Sequence, residues 1–277
     1  KVENAVDNNR FKRRKEARKY LTKIMPTEEE KQKQRERVFH TEIKISVLVP
    51  LFNTPEPFLR DMIDSVMEQT YQNWELCLAD ASEAGNEKVA EIVKEYMAKD
   101  ERIVYRKLEK NQGIAENTNA CIRMAAGNYL ALFDHDDMLH PSALYECAKV
   151  IEKEGADFVY TDEVTFEGAE LENIVTYHFK PDFSVDNLRG VNYICHLSVF
   201  KKALTEQVGL FRAEYDGSQD HDMIMRLTDA ANKVCHIPRV LYFWRCHKMS
   251  TSMNLSSKSY AITAGRRAVR DAEIRRG

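Results

Sequence analysis

Apolar positions along this chain alternate between short β-branched runs and helical stripes, in regular order from residue 43 to residue 160. The run Ile43-Lys-Ile-Ser-Val-Leu-Val-Pro50 predicts a strand. Behind it, residues 56–69 carry apolar side chains at 58, 59, 62, 63, 66 and 67, the stripe of a helix that buries one face. The alternation then repeats: strand 74–79 and helix 86–98, strand 102–106 and helix 114–126, strand 128–133 and helix 141–154, strand 157–160. Gly127 and Gly155 stand just past two of these helices, where a chain commonly leaves the helical conformation through glycine. Single helices between strands predict parallel βαβ units with right-handed crossovers. After Thr161 the rhythm breaks. Residues 164–166 and 174–177 predict short paired strands, 199–207 the opening of a helix, 220–230 a helix, and 234–237 with 240–245 two more strands. The fold class is therefore α/β, with a nucleotide-binding type of parallel sheet first and a smaller mixed part after it.

The two ends differ from this body. Residues 1–42 contain no Gly and only Pro26, and residues 9–25 space Phe11, Ala17, Tyr20, Leu21 and Ile24 among Lys and Arg at helical intervals. Pro26-Thr-Glu-Glu-Glu30 reads as a second helix start, with acids in its first turn. Residues 258–276 look helical and basic. We therefore divide the chain into a basic helical extension (1–42), a catalytic-type body (43–254) and a basic C-terminal helix (255–277). The net charge of −3 conceals this division. The extension holds 13 Lys/Arg against 8 Asp/Glu, residues 255–277 hold 6 against 2, and the body holds 22 against 34. An acidic body argues against nucleic acid as the ligand, because phosphate neutralisation dominates such binding. The basic ends leave open a peripheral contact with an anionic membrane, and a solvated helix is the blander alternative. Six cysteines (77, 121, 147, 195, 235 and 246) show no Cys-x-x-Cys pair and sit mostly in apolar contexts. They predict buried thiols in a reducing, cytoplasmic setting, at the inner membrane face if the basic ends bind there. No stretch approaches the ~20 apolar residues of a membrane span, and the start Lys1-Val-Glu-Asn4 has no hydrophobic leader. A start without Met suggests either a fragment of a longer chain or a chain given without its first residues.

The chemistry concentrates where strands end. In open parallel sheets the loops at the C-terminal strand ends line the ligand crevice. Here they carry Pro50-Leu-Phe-Asn-Thr54, Asp80-Ala-Ser82, Asn111-Gln-Gly113, Asp134-His-Asp-Asp137 and Thr161-Asp-Glu163. Any one could be a turn, but a polar residue set at every end points to a site. Three carboxylates at 134, 136 and 137 crowd like charges, which raises pKa values and costs stability unless a cation relieves it. Oxygen donors suit Mg2+ or Mn2+, which typically bridges carboxylates to a phosphorylated substrate. The competing explanation is a helix N-cap, which needs only one carboxylate. Asp220 has the same ambiguity, as N-cap of helix 220–230 or as a general base aimed into the cleft. His247 follows an aromatic strand and becomes a nitrogen donor only if a carboxylate metal site exists nearby. There is no Gly-x-Gly-x-x-Gly and no Gly-Lys-Ser/Thr loop, which argues against dinucleotide and P-loop sites.

Taken in order, Ser46-Val-Leu-Val-Pro-Leu-Phe-Asn53, Leu78-Ala-Asp-Ala-Ser82, Asn111-Gln-Gly-Ile-Ala115, Ala131-Leu-Phe-Asp-His-Asp-Asp137, Gly217-Ser-Gln-Asp220 and Trp244-Arg-Cys-His-Lys-Met-Ser250 form a set. That set resembles the family-2 glycosyltransferases of GT-A fold, over roughly residues 43–252. The stretch from Lys180-Pro-Asp-Phe-Ser184 to Asn192-Tyr-Ile-Cys-His196 is similar to bacterial members that build surface polysaccharides. The resemblance implies a Rossmann-like, mostly parallel sheet with helices on both faces and a smaller mixed sheet on the acceptor side. It implies inverting transfer from a nucleoside-diphosphate sugar, UDP favoured, to a saccharide or lipid-linked saccharide. By position, Pro50, Phe52, Asn53 and Asp80 would hold the base, Asn111 and Gly113 the nucleoside, and Asp134 with His135 the ribose region. Asp136 and His247 would hold Mn2+ or Mg2+ on the diphosphate, Asp220 would be the catalytic base, and Tyr193, Gln219 and Trp244 would shape the sugar and acceptor pockets. Two positions depart from the pattern: Thr54 replaces a carboxylate, and Gln219 replaces the Glu before the base. No Gln-x-x-Arg-Trp signature of processive synthases is present, which implies single transfer. A homo-oligomer is compatible with all of this. The rivals are a metal-dependent phosphatase, whose Asp pair belongs on the first strand, a sugar nucleotidylyltransferase, which needs a Gly-rich first loop, and a non-catalytic binding module.

Overall fold

The computed structural model describes residues 2–247 and 258–277. Two helices come first, α1 (Val2–Ile24) and α2 (Glu28–Glu36). The break between them is set by Pro26 and by a capping box, in which Thr27 Oγ1 accepts from Glu30 N at 3.2 Å and Glu30 Oε2 accepts from Thr27 N at 2.8 Å. The body then runs β1 (Ile45–Leu51), α3 (Glu56–Met67), β2 (Trp74–Asp80), α4 (Glu87–Met97), β3 (Ile103–Lys107), α5 (Ile114–Met124) and β4 (Tyr129–Leu132). It continues through β5 (Met138–Leu139), α6 (Ala143–Glu154), β6 (Phe158–Glu167), β7 (Ile174–His178), α7 (Val185–Gly190), β8 (Ser198–Lys201) and α8 (Ala203–Val208). The last elements are α9 (Gln219–Ala230), β9 (Val234–Cys246) and α10 (Lys258–Arg276).

One nine-stranded sheet contains every strand among the described residues, in the order β3-β2-β1-β4-β8-β6-β9-β5, with β7 beside β6. The first four in that order are parallel neighbours. Their register sets Leu51 opposite Asp80 and Asp80 opposite Lys107, so their C-terminal ends share one edge. Beyond β4 the pairing becomes mixed: β8 runs antiparallel between β4 and β6, while β6 and β9 are parallel. The mixed part thus continues the parallel part as the same sheet.

Several local expectations are corrected by this arrangement. Residues 198–201 form a strand rather than opening a helix, and the helix starts only at Ala203. Ser198, Val199 and Phe200 are fully buried, and a fully buried apolar run does not distinguish the two periods. Residues 158–160 and 164–166 belong to a single strand, β6, and 234–237 and 240–245 to a single strand, β9. Their pairing slips between Thr161 and Glu163, which absorbs the Pro238-Arg239 interruption that made β9 look like two strands. β5, a two-residue strand, gave no pattern to read.

Strand alternation divides the core between two faces. Ile45, Val47, Val49 and Leu51 pack with α3, α4 and α6, whereas Leu48 points to the other side, with α5, α8, α9 and α10. Leu21 of α1 joins Val164, Phe166, Val240 and Phe243 in a third cluster at the mixed end. Among the described residues, no helix is long and apolar enough to cross a membrane.

Candidate active site

The shared edge of β1, β2 and β4 gathers the first half of the site. Asn53 takes a positive φ of 49°, and its backbone N–H donates to Ser82 Oγ at 2.9 Å while its side-chain oxygen accepts from Glu83 N at 3.0 Å. These bonds clasp the β1 and β2 ends together. Pro50 closes β1 among buried neighbours, and the Phe52 ring is exposed beside this clasp. Asp80 is fully buried and accepts from Ser82 N at 2.8 Å, Tyr105 Oη at 2.7 Å and Lys107 Nζ at 3.2 Å. Burial alone would raise its pKa, but these donors together carry it below the usual carboxylate range. Asn111 Oδ1 accepts from Gly113 N at 3.0 Å and from Asn117 Nδ2 at 2.9 Å, shaping the turn into α5. Gly113 has φ 93°, and a Cβ there would run into Asp216 Oδ2.

The acidic loop after β4 separates into three roles. Asp137 is fully buried, accepts from the Tyr242 hydroxyl and, at 2.7 Å, from Arg245 N, and so pins the loop to β9. Burial, then Asp136 and Asp134 beside it, push its pKa well above the carboxylate range. No carboxylate of this loop caps α6, whose N-cap position is Ser142. Asp136 Oδ2 lies 2.7 Å from His247 Nε2, both side chains 18 % exposed. Beneath them Arg245, with no exposed surface, donates to Asp136 O and Gly168 O at 2.7 Å and to Asp61 Oδ2 at 2.8 Å. His135 Nδ1 contacts Thr54 Oγ1, tying the β4 loop to the β1 loop. Asp134 Oδ2 faces His196 Nε2 at 3.3 Å.

Among the described residues no group of three or more His, Cys, Asp or Glu has the spacing of a metal cage. The Asp136–His247 pair nevertheless fits a cation of the Mg2+ or Mn2+ type completed by phosphate oxygens and water, since such ions commonly take few protein donors. Lys248-Met-Ser250 of the last motif lie outside the described residues.

The second half of the site comes from β6, the segment before β8, and α9. Asp220 is the second residue of α9, and the N-cap position is Ser218, so the capping explanation for Asp220 does not hold. Gln219 Nε2 donates to Asp220 Oδ2 at 2.9 Å and its oxygen accepts from Gly217 N at 2.8 Å, so a neutral amide orients the carboxylate. Burial raises the Asp220 pKa to about 6; Asp134 and Asp216 add to the rise, and His196 and the Gln219 amide oppose it. Tyr193 lies on the same side, but its hydroxyl accepts from Ser184 N at 2.9 Å at the start of α7. Trp244 shares a face of β9 with Tyr242 and has its ring 6.5 Å from that of His178.

Several residues here had no role in the sequence analysis. The His196 ring is nine-tenths buried, stacks on Tyr242 at 5.1 Å and 17°, and turns its Nε2 to Asp134 Oδ2 at 3.3 Å. Lys180, buried with Glu163 at 2.8 Å, donates to the carbonyls of Ile194 and His196 at 2.6 and 2.5 Å and so holds that segment. Only their place in the 180–196 stretch hinted at them; a lone Lys or His carries no periodicity.

Comparison with known proteins identifies the family and the fold. Residues 46–209 match the profile described as "Glycosyl transferase family 2". A protein of Sinorhizobium fredii, y4gI, of uncharacterised function, is 41 % identical over 82 % of this chain and 25 % of its own length. The O-antigen biosynthesis protein RfbC of Myxococcus xanthus is 32 % identical over 84 % of this chain and 18 % of its own. The chain thus spans a quarter or less of the length of these two relatives. The crystal structure of S. aureus TarS 1-349 in complex with UDP-GlcNAc superposes with a TM-score of 0.63, covering 75 % of this chain and 60 % of that one at 18 % identity. At that identity the likeness establishes the shared GT-A fold.

Proposed function

The chain belongs to glycosyltransferase family 2, and from that premise we propose that it moves a sugar from a UDP-sugar to a saccharide hydroxyl with inversion, in the building of a surface polysaccharide. The observation that carries this is the coming together of two unlike carboxylate sets, the charge of Asp134 in the first helping to raise the pKa of Asp220 in the second. On one side are the Asp80 pocket and the Asp134–Asp137 loop; on the other is Asp220, with its pKa lifted to about 6. UDP and UDP-GlcNAc bound to TarS, and the O-antigen role of RfbC, support the choice of donor and product class.

Each residue then has a chemical task. Asp80 accepts from the base, against the Pro50–Asn53 backbone and Phe52. The Asn111–Gly113 turn supports the nucleoside, and Asp134 with His135 borders the ribose. Asp136 and His247 would hold Mn2+ or Mg2+, which when bound neutralises the diphosphate leaving group. Asp220 takes the acceptor hydroxyl proton as that oxygen bonds to the sugar's anomeric carbon and the bond to the diphosphate breaks. Attack opposite the leaving group gives inversion, by the logic of inverting glycosidases with the hydroxyl in place of water. Trp244, Tyr193 and Gln219 border the sugar and acceptor positions. Family membership favours neither a phosphatase nor a non-catalytic module.

The test is a panel of nucleotide sugars screened by thermal shift with and without Mn2+, followed by transfer assays on the best donor. A ligand at 100 times its Kd adds ~2.7 kcal/mol, a shift of several degrees. If no nucleotide sugar shifts the transition in either condition, this function is wrong.

A further inference from the structure

The proposed reaction leaves one strand-end motif, Thr161-Asp162-Glu163, without a task. Glu163 grips Lys180 at 2.8 Å, and Lys180 holds the carbonyls of Ile194 and His196. Its neighbour Asp162 lines a separate hollow of about 260 Å3, between the end of α1, β6, β9 and the residue after β7. Tyr20, Lys23, Phe179 and Arg239 line it too, and none of them takes part in the transfer site. Asp162 is buried, and its Oδ1 accepts from Lys180 N at 2.9 Å and lies 2.8 Å from His236 Nε2. Among the described residues its Oδ2 has no hydrogen-bond partner, and neither has the Tyr20 hydroxyl or Lys23 Nζ. By contrast Asp80, Asp157 and Asp222, comparably buried, each engage both oxygens. A buried carboxylate oxygen left unserved is costly unless water or a ligand hydroxyl donates to it.

The rest of the lining narrows the chemistry of that ligand. Phe179 is 65 % exposed, with its ring stacked on Tyr177 at 5.9 Å and 19°, and Tyr177 meets Tyr20 edge-on at 5.1 Å. A ring held flat in this way offers its free, electron-rich face to C–H groups. Lys23 offsets the charge of Asp162, and Arg239 is engaged by Glu146 at 2.6 Å, so the lining is close to neutral. An anion would meet Asp162 Oδ2, and a wholly apolar ligand would strand it. A pyranose satisfies both demands, with a C–H face for the ring and hydroxyls that donate and accept at its edge. The volume, below the ~300–1,000 Å3 of pockets for drug-sized ligands, suits a single sugar ring.

We propose that this hollow is a second saccharide subsite, holding a neutral pyranose of the acceptor chain away from the residue being extended. This rests on the glycosyl-transfer function proposed above. Asp162 Oδ2 accepts from one sugar hydroxyl, Tyr20 and Lys23 donate to others, and Phe179 stacks on the C–H face. Lys180 ties the subsite to the segment before β8, with its main chain on Asp162 and its side chain on the carbonyls of Ile194 and His196.

The first test needs no turnover. Maltotetraose, cellotetraose and chitotetraose are titrated into 15N-labelled wild type, Phe179→Ala and Asp162→Asn. We expect at least one of the three to shift the amides of residues 20–24, 162, 179, 180, 239 and 240, and both variants to bind it about fivefold more weakly or worse. Phe179 is exposed, so its variant keeps the test open should Asp162→Asn not fold. No shift at these amides with any of the three sugars, or wild-type affinity in Phe179→Ala, overturns the proposal. So does Phe179-dependent sedimentation with phosphatidylglycerol vesicles in place of sugar binding, which would make the patch a membrane contact. In transfer assays with an extended acceptor, Phe179→Ala should raise the acceptor KM several-fold at unchanged kcat and UDP affinity. A wild type that binds the tetrasaccharide here but transfers from no UDP-sugar would sink the transfer function and leave a saccharide-binding pocket standing.

Discussion

With burial as the main cause of a carboxyl pKa near 6, Asp220 should act as a base only when the solution is above that value. Wild-type kcat/KM is therefore expected to fall as pH drops through about 6. Asp220→Asn should keep UDP affinity and lose ~10²–10⁴-fold in transfer, because an amide cannot take the proton. Near wild-type turnover in that variant would remove Asp220 from the chemistry. Asp136→Ala should abolish the Mn2+-dependent part of UDP binding, checked by calorimetry with and without the ion. At this scale the sequence was informative where a residue type is rare in its setting, as with three acids in four positions after an apolar strand. It was silent where burial confers the property. Nothing in the letters around Lys180 or His196 says that both side chains are enclosed.

Elements explain why these side chains meet. Four parallel strands in matched register bring the Asn53, Asp80 and Asp134 loops to one edge, and that much follows from the alternating pattern. The α5 start depends on Gly113, whose φ of 93° and closeness to Asp216 leave no room for a side chain. Gly113→Ala should cost roughly 1–3 kcal/mol through backbone strain and displacement of Asp216. It should also weaken UDP binding, measured by thermal unfolding and titration; unchanged values in both would separate this turn from the nucleoside. Past Thr161 the pattern still gave the strands at 164–166, 174–177, 234–237 and 240–245 and the helix at 220–230, but it misassigned 198–201 for a physical reason. β6, β8 and β9 are buried on both sides for much of their length, so neither the period of two nor the period of 3.6 is displayed.

For the whole molecule, the basic C-terminal helix is packed rather than peripheral. Ala268 and Ala272 of α10 are buried in the same cluster as Met223 and Leu227 of α9. Asp271 accepts from the Tyr215 hydroxyl, and Arg275 pairs with Asp229 at 2.8 Å. Truncation before Lys258 should therefore lower the melting temperature and reduce kcat while leaving UDP affinity close to normal, since α10 supports the segment that carries Asp216 and Asp220. Loss of UDP binding in parallel with turnover would argue against that division. The charge imbalance between ends and body was plain in the sequence; which face the ends cover was not. β9 has a wider consequence. It begins beside the exit of α9, passes Tyr242 beneath His196, and delivers His247 to Asp136. A site hung from one continuous sheet and tied by a thirteen-residue strand is not hinged like a pair of jaws. Substrate entry and product exit must be managed by side chains and connecting loops at the rim, and enzymes of this build should show small domain displacements between free and loaded states.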